Sequence, residues 1–372
     1  MVSPGLFSRL TAVAALLAIL ALAGCTHFVP VPPREYVYVL VQSSSLRDRV
    51  AVVSNRVAEV VNGQRLQVLE HGRRFLKVKT EHGEVGWIED HEVIDQKTYN
   101  DFAALGKEHA HDPVVATGTL RAQSPYLLHD APGRETNRFF LLPVDAKVQL
   151  LARASVARPH PAQAVPVPVE RGAKKKVQQG PPVPDLEDWW LVRDGSGHVG
   201  WVRSRVLDEN VPDAIAGLGE GQKIVGAYVL RTVNDPGANV PGNQVAEYVA
   251  VMAPWKDGLP YDFDQVRVFT WNVKKHRYET AYRERNIAGF LPVTVSRQTF
   301  GNQQQPVFSF RVAAGDTVAL DPTTGMVKPG DTLTESFHME GVVVRPIGEE
   351  PQHAASANPE NRSEKARKRR RG

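Results

Sequence analysis

Apolar and polar residues alternate along much of this chain, and the period is two. Arg65-Leu66-Gln67-Val68-Leu69 and Phe75-Leu76-Lys77-Val78-Lys79 put apolar side chains on one face and polar ones on the other, which predicts half-buried strands. Tyr36 to Val41 is a β-rich run ahead of them. Val245 to Met252, Gln265 to Trp271, Tyr278 to Arg283, Leu291 to Val295, Val307 to Val312 and Gly341 to Val344 also read as strands, with Val273 to His276 as a short hairpin connection. A helical pattern is weak and confined to Tyr99 to His111. The chain is therefore expected to be all-β.

One segment recurs. Lys77-Val78-Lys79-Thr80-Glu81-His82-Gly83-Glu84-Val85-Gly86-Trp87 returns as Leu191-Val192-Arg193-Asp194-Gly195-Ser196-Gly197-His198-Val199-Gly200-Trp201, with five of eleven positions identical. Each copy reads strand, turn, strand. Gly83 and Gly197 suit the positive φ of a tight turn, and Gly86 and Gly200 admit a close backbone neighbour.

Together with Leu46-Arg47-Asp48, Asn62-Gly63 and Phe75-Leu76 in the first copy, and Leu120-Arg121 and Trp189-Trp190 in the second, these motifs resemble the bacterial SH3-like domain family. The resemblance implies two small SH3-like barrels that recognise cell-wall peptides or glycans, or proline-rich peptides. The expected organisation is a signal peptide (1–24), a lipidated tether (25–35), a first SH3-like domain (36–97) and a linker (98–113). A second SH3-like domain follows (114–210), with a Pro- and Lys-rich insertion over 155–187. Then come a linker (211–222), a C-terminal β-sandwich or barrel of unrecognised family (223–347) and a disordered basic tail (348–372).

The N-terminus supports export. Met1 to Arg9 carries one positive charge, and Leu10 to Ala23 is an uncharged apolar run shorter than the roughly 20 residues a membrane-spanning helix needs. It ends at Leu22-Ala23-Gly24-Cys25, which resembles the lipobox of bacterial lipoproteins. That resemblance implies cleavage before Cys25 and acylation of it; the alternative is an ordinary signal peptide with a chance cysteine. Thr26 in place of Asp after the cysteine implies sorting to the outer membrane, facing the periplasm. Cys25 is the sole cysteine, so the mature chain can form no internal disulfide and offers no thiol nucleophile or thiolate ligand.

Charge changes the picture only at the other end. Arg362 to Gly372 holds seven Lys or Arg against one Glu, more than the whole chain's net +4, so the remainder is slightly acidic. This tail could dock on anionic envelope polymers; export argues against nucleic acid.

Candidate chemistry points to binding. His109-Ala110-His111-Asp112 reads as a solvated linker rather than a metal site, and Gly217 to Gly221 lacks the end of a phosphate loop. Glu279, Arg283 and Glu284 read as cross-strand pairs. No catalytic residue, cofactor or metal is assigned. The candidate ligand-binding residues are Tyr38, Phe75, Tyr126, Trp189 and Trp190. Trp87 and Trp201 are expected in the core, and Tyr38 and one of Trp189 or Trp190 to face outward. The expected function is an anchored envelope protein binding peptidoglycan or wall peptides. The alternatives are a protein-binding assembly scaffold and a cell-wall hydrolase with targeting domains.

Overall fold

Seven short strands open the fold: β1 (Tyr36–Val39), β2 (Ser43–Arg47), β3 (Arg56–Val61), β4 (Arg65–His71), β5 (Phe75–Lys79), β6 (Val85–Glu89) and β7 (Val93–Asp95). They pair antiparallel in the order β3-β2-β6-β5-β4-β1-β7. After helix α1 (Gln96–Glu108) come β8 (Ala116–Leu120), β9 (Tyr126–His129), β10 (Arg138–Leu142), β11 (Lys147–Ala157), β12 (Leu186–Arg193), β13 (Val199–Arg203) and β14 (Leu207–Glu209). Their order is β10-β9-β13-β12-β11-β8-β14. Raising every number of the first order by seven gives the second, so the two sheets share one topology.

The computed structural model describes residues 34–158, 185–315, 319–328 and 330–348. The expected signal peptide, Cys25, most of the Pro- and Lys-rich insertion and the basic tail lie outside the described residues. Among those described, no helix is long and apolar enough to cross a membrane.

The repeat extends to atomic detail. A Cβ at Gly86 would lie 2.8 Å from Leu46 Cβ, and one at Gly200 2.7 Å from Leu128 Cβ, so in both copies glycine lets one strand cross closely over another. Gly83 and Gly197 turn their hairpins at φ +95° and +87°. The β2–β3 and β9–β10 loops are pinned alike: Asn55 Nδ2 donates to Asp48 (3.1 Å), and Asn137 Nδ2 to Asp130 (2.8 Å). One boundary needs correction. Residues 155–157 and 186–187, expected in the insertion, are paired strand, with Ser155 opposite Asp188 and Ala157 opposite Leu186.

Helix α1 lies in the segment between the repeats and overlaps the weak helical pattern read over Tyr99 to His111. Asp95 caps it by accepting from Thr98 N at 2.8 Å, and Phe102 is its buried residue. Downstream of the second sheet, the short helix α2 (Asp213–Ala216) leads into β15 (Lys223–Asn234), β16 (Gln244–Ala253), β17 (Phe263–Asn272), β18 (Arg277–Phe300), β19 (Gln303–Ala313), β22 (Thr332–Glu340) and β23 (Val343–Pro346). These form one antiparallel meander in chain order, interrupted by the two-stranded β20 (Ala319–Leu320) and β21 (Val327–Lys328). The first half of β18 pairs with β17 and the second with β19. One face of the meander buries Val251, Val268, Phe263, Phe308 and Phe337; Ile215 of α2 covers Ala250, Met252 and Phe269 on the other. The fold is all-β, built of three open seven-stranded sheets, none closed on itself.

The main core runs unbroken from Tyr38 and Phe102 through Phe139 and Trp190 into Phe263 and Phe308. An arginine joins the second and third sheets. Arg153 on β11 pairs with Asp188 at 3.1 Å and with Asp262 at 3.4 Å, and donates to the Leu259 carbonyl. Tyr228 donates to the Val115 carbonyl at 2.8 Å.

Candidate binding pocket

Pairing in the second sheet gathers side chains from four strands. Trp189 lies opposite Arg203, and His129 is opposite both Trp201 and Arg138. Cross-strand partners project to one side, and so do residues two apart such as Trp201 and Arg203. All five therefore share a face.

At its edge is a pocket of about 340 Å³ lined by Tyr126, His129, Arg134, Arg138, Trp189 and Arg203 together with Pro125 and Leu127. Arg134 reaches back from the pinned loop, placing Nε (3.0 Å) and Nη2 (2.9 Å) on the two oxygens of Glu187. Burial opposes the charge of Glu187, but the Arg134 guanidinium, helped by Arg203 and Arg158, holds the carboxyl below its ordinary range. Arg134, Arg138 and Arg203 line the pocket, and Glu187, bound by Arg134 and 4.0 Å from Arg203, is the carboxylate that faces them, so the pocket is positive.

His129 forms its floor. Burial, aided by the charges of Arg138 and Arg203, pushes the imidazole down to about 4. Its Nδ1 lies 2.8 Å from Thr136 Oγ1, whose own proton goes to the carbonyls of Gly133 (2.8 Å) or Ala131 (3.0 Å). The proton between ring and hydroxyl therefore sits on Nδ1, which leaves Nε2 an acceptor. Edge-on to His129, at 4.9 Å and 72°, stands Trp189, whose indole N–H has no hydrogen-bond partner among the described residues. A cationic rim beside the partly exposed ring of Tyr126 suits a ligand with an anionic end and an amide or apolar body.

Of the five residues expected to bind ligand, only Tyr126 and Trp189 meet here. The outward orientation expected of Tyr38 and of one of Trp189 or Trp190 is overturned: they are 6%, 0% and 3% exposed. Alternation does separate the two tryptophans, but both faces of the second sheet are covered. Trp190 enters the main core, while Trp189 packs with Leu151, Leu191 and Trp201 beneath Leu105 of α1 and Met326. Tyr38 is covered by α1. Phe75 lies half-buried at the start of β5 in the other repeat. Trp201 is buried, whereas Trp87 is half-buried with the Lys77 ammonium 5.8 Å from its ring.

The three arginines and His129 went unnoticed in the sequence. One signal was available: a hairpin turning at Asp194 to His198 sets Trp189 opposite Arg203. Elsewhere, His109 Nδ1 lies 2.7 Å from Asp112, and no group of three or more metal-ligating residues occurs among the described residues. Glu220 in the glycine-rich segment pairs with the buried Arg267 at 2.6 Å. Hydrogen bonds from Asn272 and Lys275 hold Glu279 down at about 2.

Among solved structures the chain is similar to an NlpC/P60 family protein from Bacillus cereus, at 9% identity and a TM-score of 0.22, covering 68% of this chain and 99% of that one. It is also similar to NlpC2 from Trichomonas vaginalis, at 9% identity and a TM-score of 0.15, covering 69% and 98%. Scores this low carry no argument about function. No family model and no curated protein matches the chain.

Proposed function

We propose that this is an exported lipoprotein, anchored at Cys25 to a bacterial outer membrane and facing the periplasm, whose SH3-like repeats bind peptidoglycan through its peptides. The observation that carries this reading is the pocket of Arg134, Arg138 and Arg203 against Tyr126. Wall peptides present carboxylates at their ends and amides along their length, and guanidiniums recognise carboxylates in planar, bidentate geometry. The role is binding, not catalysis. An imidazole with a pKa of about 4 is poorly matched to proton transfer at neutral pH. The basic segment Lys365 to Arg371 adds a second contact with anionic envelope polymers.

Retention of the protein on purified insoluble peptidoglycan tests the reading. Arg138→Ala with Arg203→Ala is expected to lower retention at least tenfold, and retention of the parent should fall as salt rises. Equal retention of parent and variant would exclude the pocket and favour a scaffold that binds envelope proteins.

A further inference from the structure

A second cleft, of about 480 Å³, lies between the second sheet and the meander. On its rim Trp255 is 73% exposed, whereas Trp189, Trp190 and Trp201 are all buried. The turn that carries it is fixed. Lys256 N donates to the Pro254 carbonyl at 2.8 Å, Gly258 N donates to the buried Asp188 at 2.9 Å, and Asp257 pairs with Arg158 at 3.1 Å. An indole on so well-pinned a turn is a preformed flat surface.

The cleft's acidic and basic side chains are equal in number. Five cationic and five acidic side chains line it, and every acid is paired with a base of the same lining. Arg153 holds Asp188 and Asp262, Arg121 holds Asp208, Arg205 holds Asp257, and Lys223 holds Glu209 at 2.6 Å. This is unlike the arginine pocket, where cations are in excess. In the same wall, Ser204 Oγ and Gln222 Oε1 are buried with no hydrogen-bond partner among the described residues. Such a wall offers donors and acceptors to a neutral ligand.

We propose that the cleft binds a neutral sugar chain, one pyranose ring stacking on Trp255 while its hydroxyl and acetamide groups hydrogen-bond to the charged pairs at the rim. A pyranose has a face of C–H bonds, which suits the negative face of an indole, and a rim of polar groups, which suits paired side chains. The inference rests on the wall-binding reading only for the choice of sugar: the glycan of peptidoglycan would lie in this cleft while its peptides reach the arginine pocket.

The test is calorimetric titration of the full chain, held in a detergent without sugar groups, with chitotetraose, an uncharged N-acetylglucosamine tetramer. Binding is expected, at least tenfold weaker in Trp255→Ala and largely kept in Trp255→Phe, with unchanged melting temperatures because the side chain is exposed. Absence of chitotetraose binding, or equal binding by Trp255→Ala, would overturn the proposal. Because the probe has no carboxylate, its failure leaves the peptide pocket standing, and failure of peptide binding leaves the cleft standing.

Discussion

The ring of Tyr38 lies flat on the ring of Tyr99, their centroids 3.9 Å apart and their planes 3° from parallel. One residue belongs to the first strand and the other to the helix that follows the last strand of the same sheet. Phe139 of the second sheet meets both edge-on, at 6.2 and 6.0 Å. Nearby, Asn62 accepts from Leu141 N at 3.0 Å. The two repeats are thus joined through a packed aromatic cluster.

Tyr38→Ala is therefore expected to destabilise the protein by about 3 kcal/mol, as for a buried ring truncated in a core. It should also split one cooperative melt of the two repeats into two. Calorimetry checks this, together with faster proteolysis between residues 96 and 113.

Glycines separate by what surrounds them. Gly200→Ala and Gly86→Ala press a methyl against Leu128 and Leu46 respectively, and each is expected to cost roughly 1–3 kcal/mol. Gly106 lies inside helix α1 with nothing within 4 Å of an added Cβ, so Gly106→Ala should stabilise by about 0.5–1 kcal/mol. Urea denaturation of the three variants measures the contrast.

This separation also marks what was legible in the sequence. The Gly-Trp repeat announced two copies of one topology, because a glycine under a crossing strand is costly to replace. Periodicity and the repeat placed β1, β4 to β6, β12, β13 and most of the meander, but not β8 to β11 of the second sheet. They also missed β15, where Tyr228 and Val229 break the alternation, and β22, whose Thr334, Glu335 and Ser336 mask a strand with buried Phe337 and Met339. The pocket was half visible: Tyr126 and Trp189 stood out as aromatics, but Arg134, Arg138 and Arg203 lie far apart in the chain and meet only through pairing. Outward-facing rings were wrongly expected because alternation reports two faces without saying whether a helix or a neighbouring sheet covers the second.

The second repeat should lose stability in acid. With His129 at about 4 in the folded state and 6.5 in the free residue, the unfolded chain binds the proton first. The stability held above pH 6.5 is then lost as pH falls towards 4, by on the order of 2–3 kcal/mol. His129→Gln is expected to flatten this dependence in thermal melts across that window.

The meander behaves oppositely. Burial, reinforced by the charge of Glu284, raises the Glu335 carboxyl from 4.5 to about 7. Here the folded state keeps the proton, so stability is full below pH 4.5 and declines as pH rises through 7, by on the order of 1–3 kcal/mol. Glu335→Gln should remove the decline, leaving the variant more stable than the parent at pH 8.

The central claim is that the arginine pocket reads carboxylates. Its most direct test is equilibrium binding of a wall-derived tetrapeptide with free carboxylates beside the same peptide fully amidated. Binding of the free acid at least tenfold tighter, with the preference lost in Arg203→Ala, is the predicted result; equal affinity for the two peptides, or a preference that survives Arg203→Ala, contradicts it.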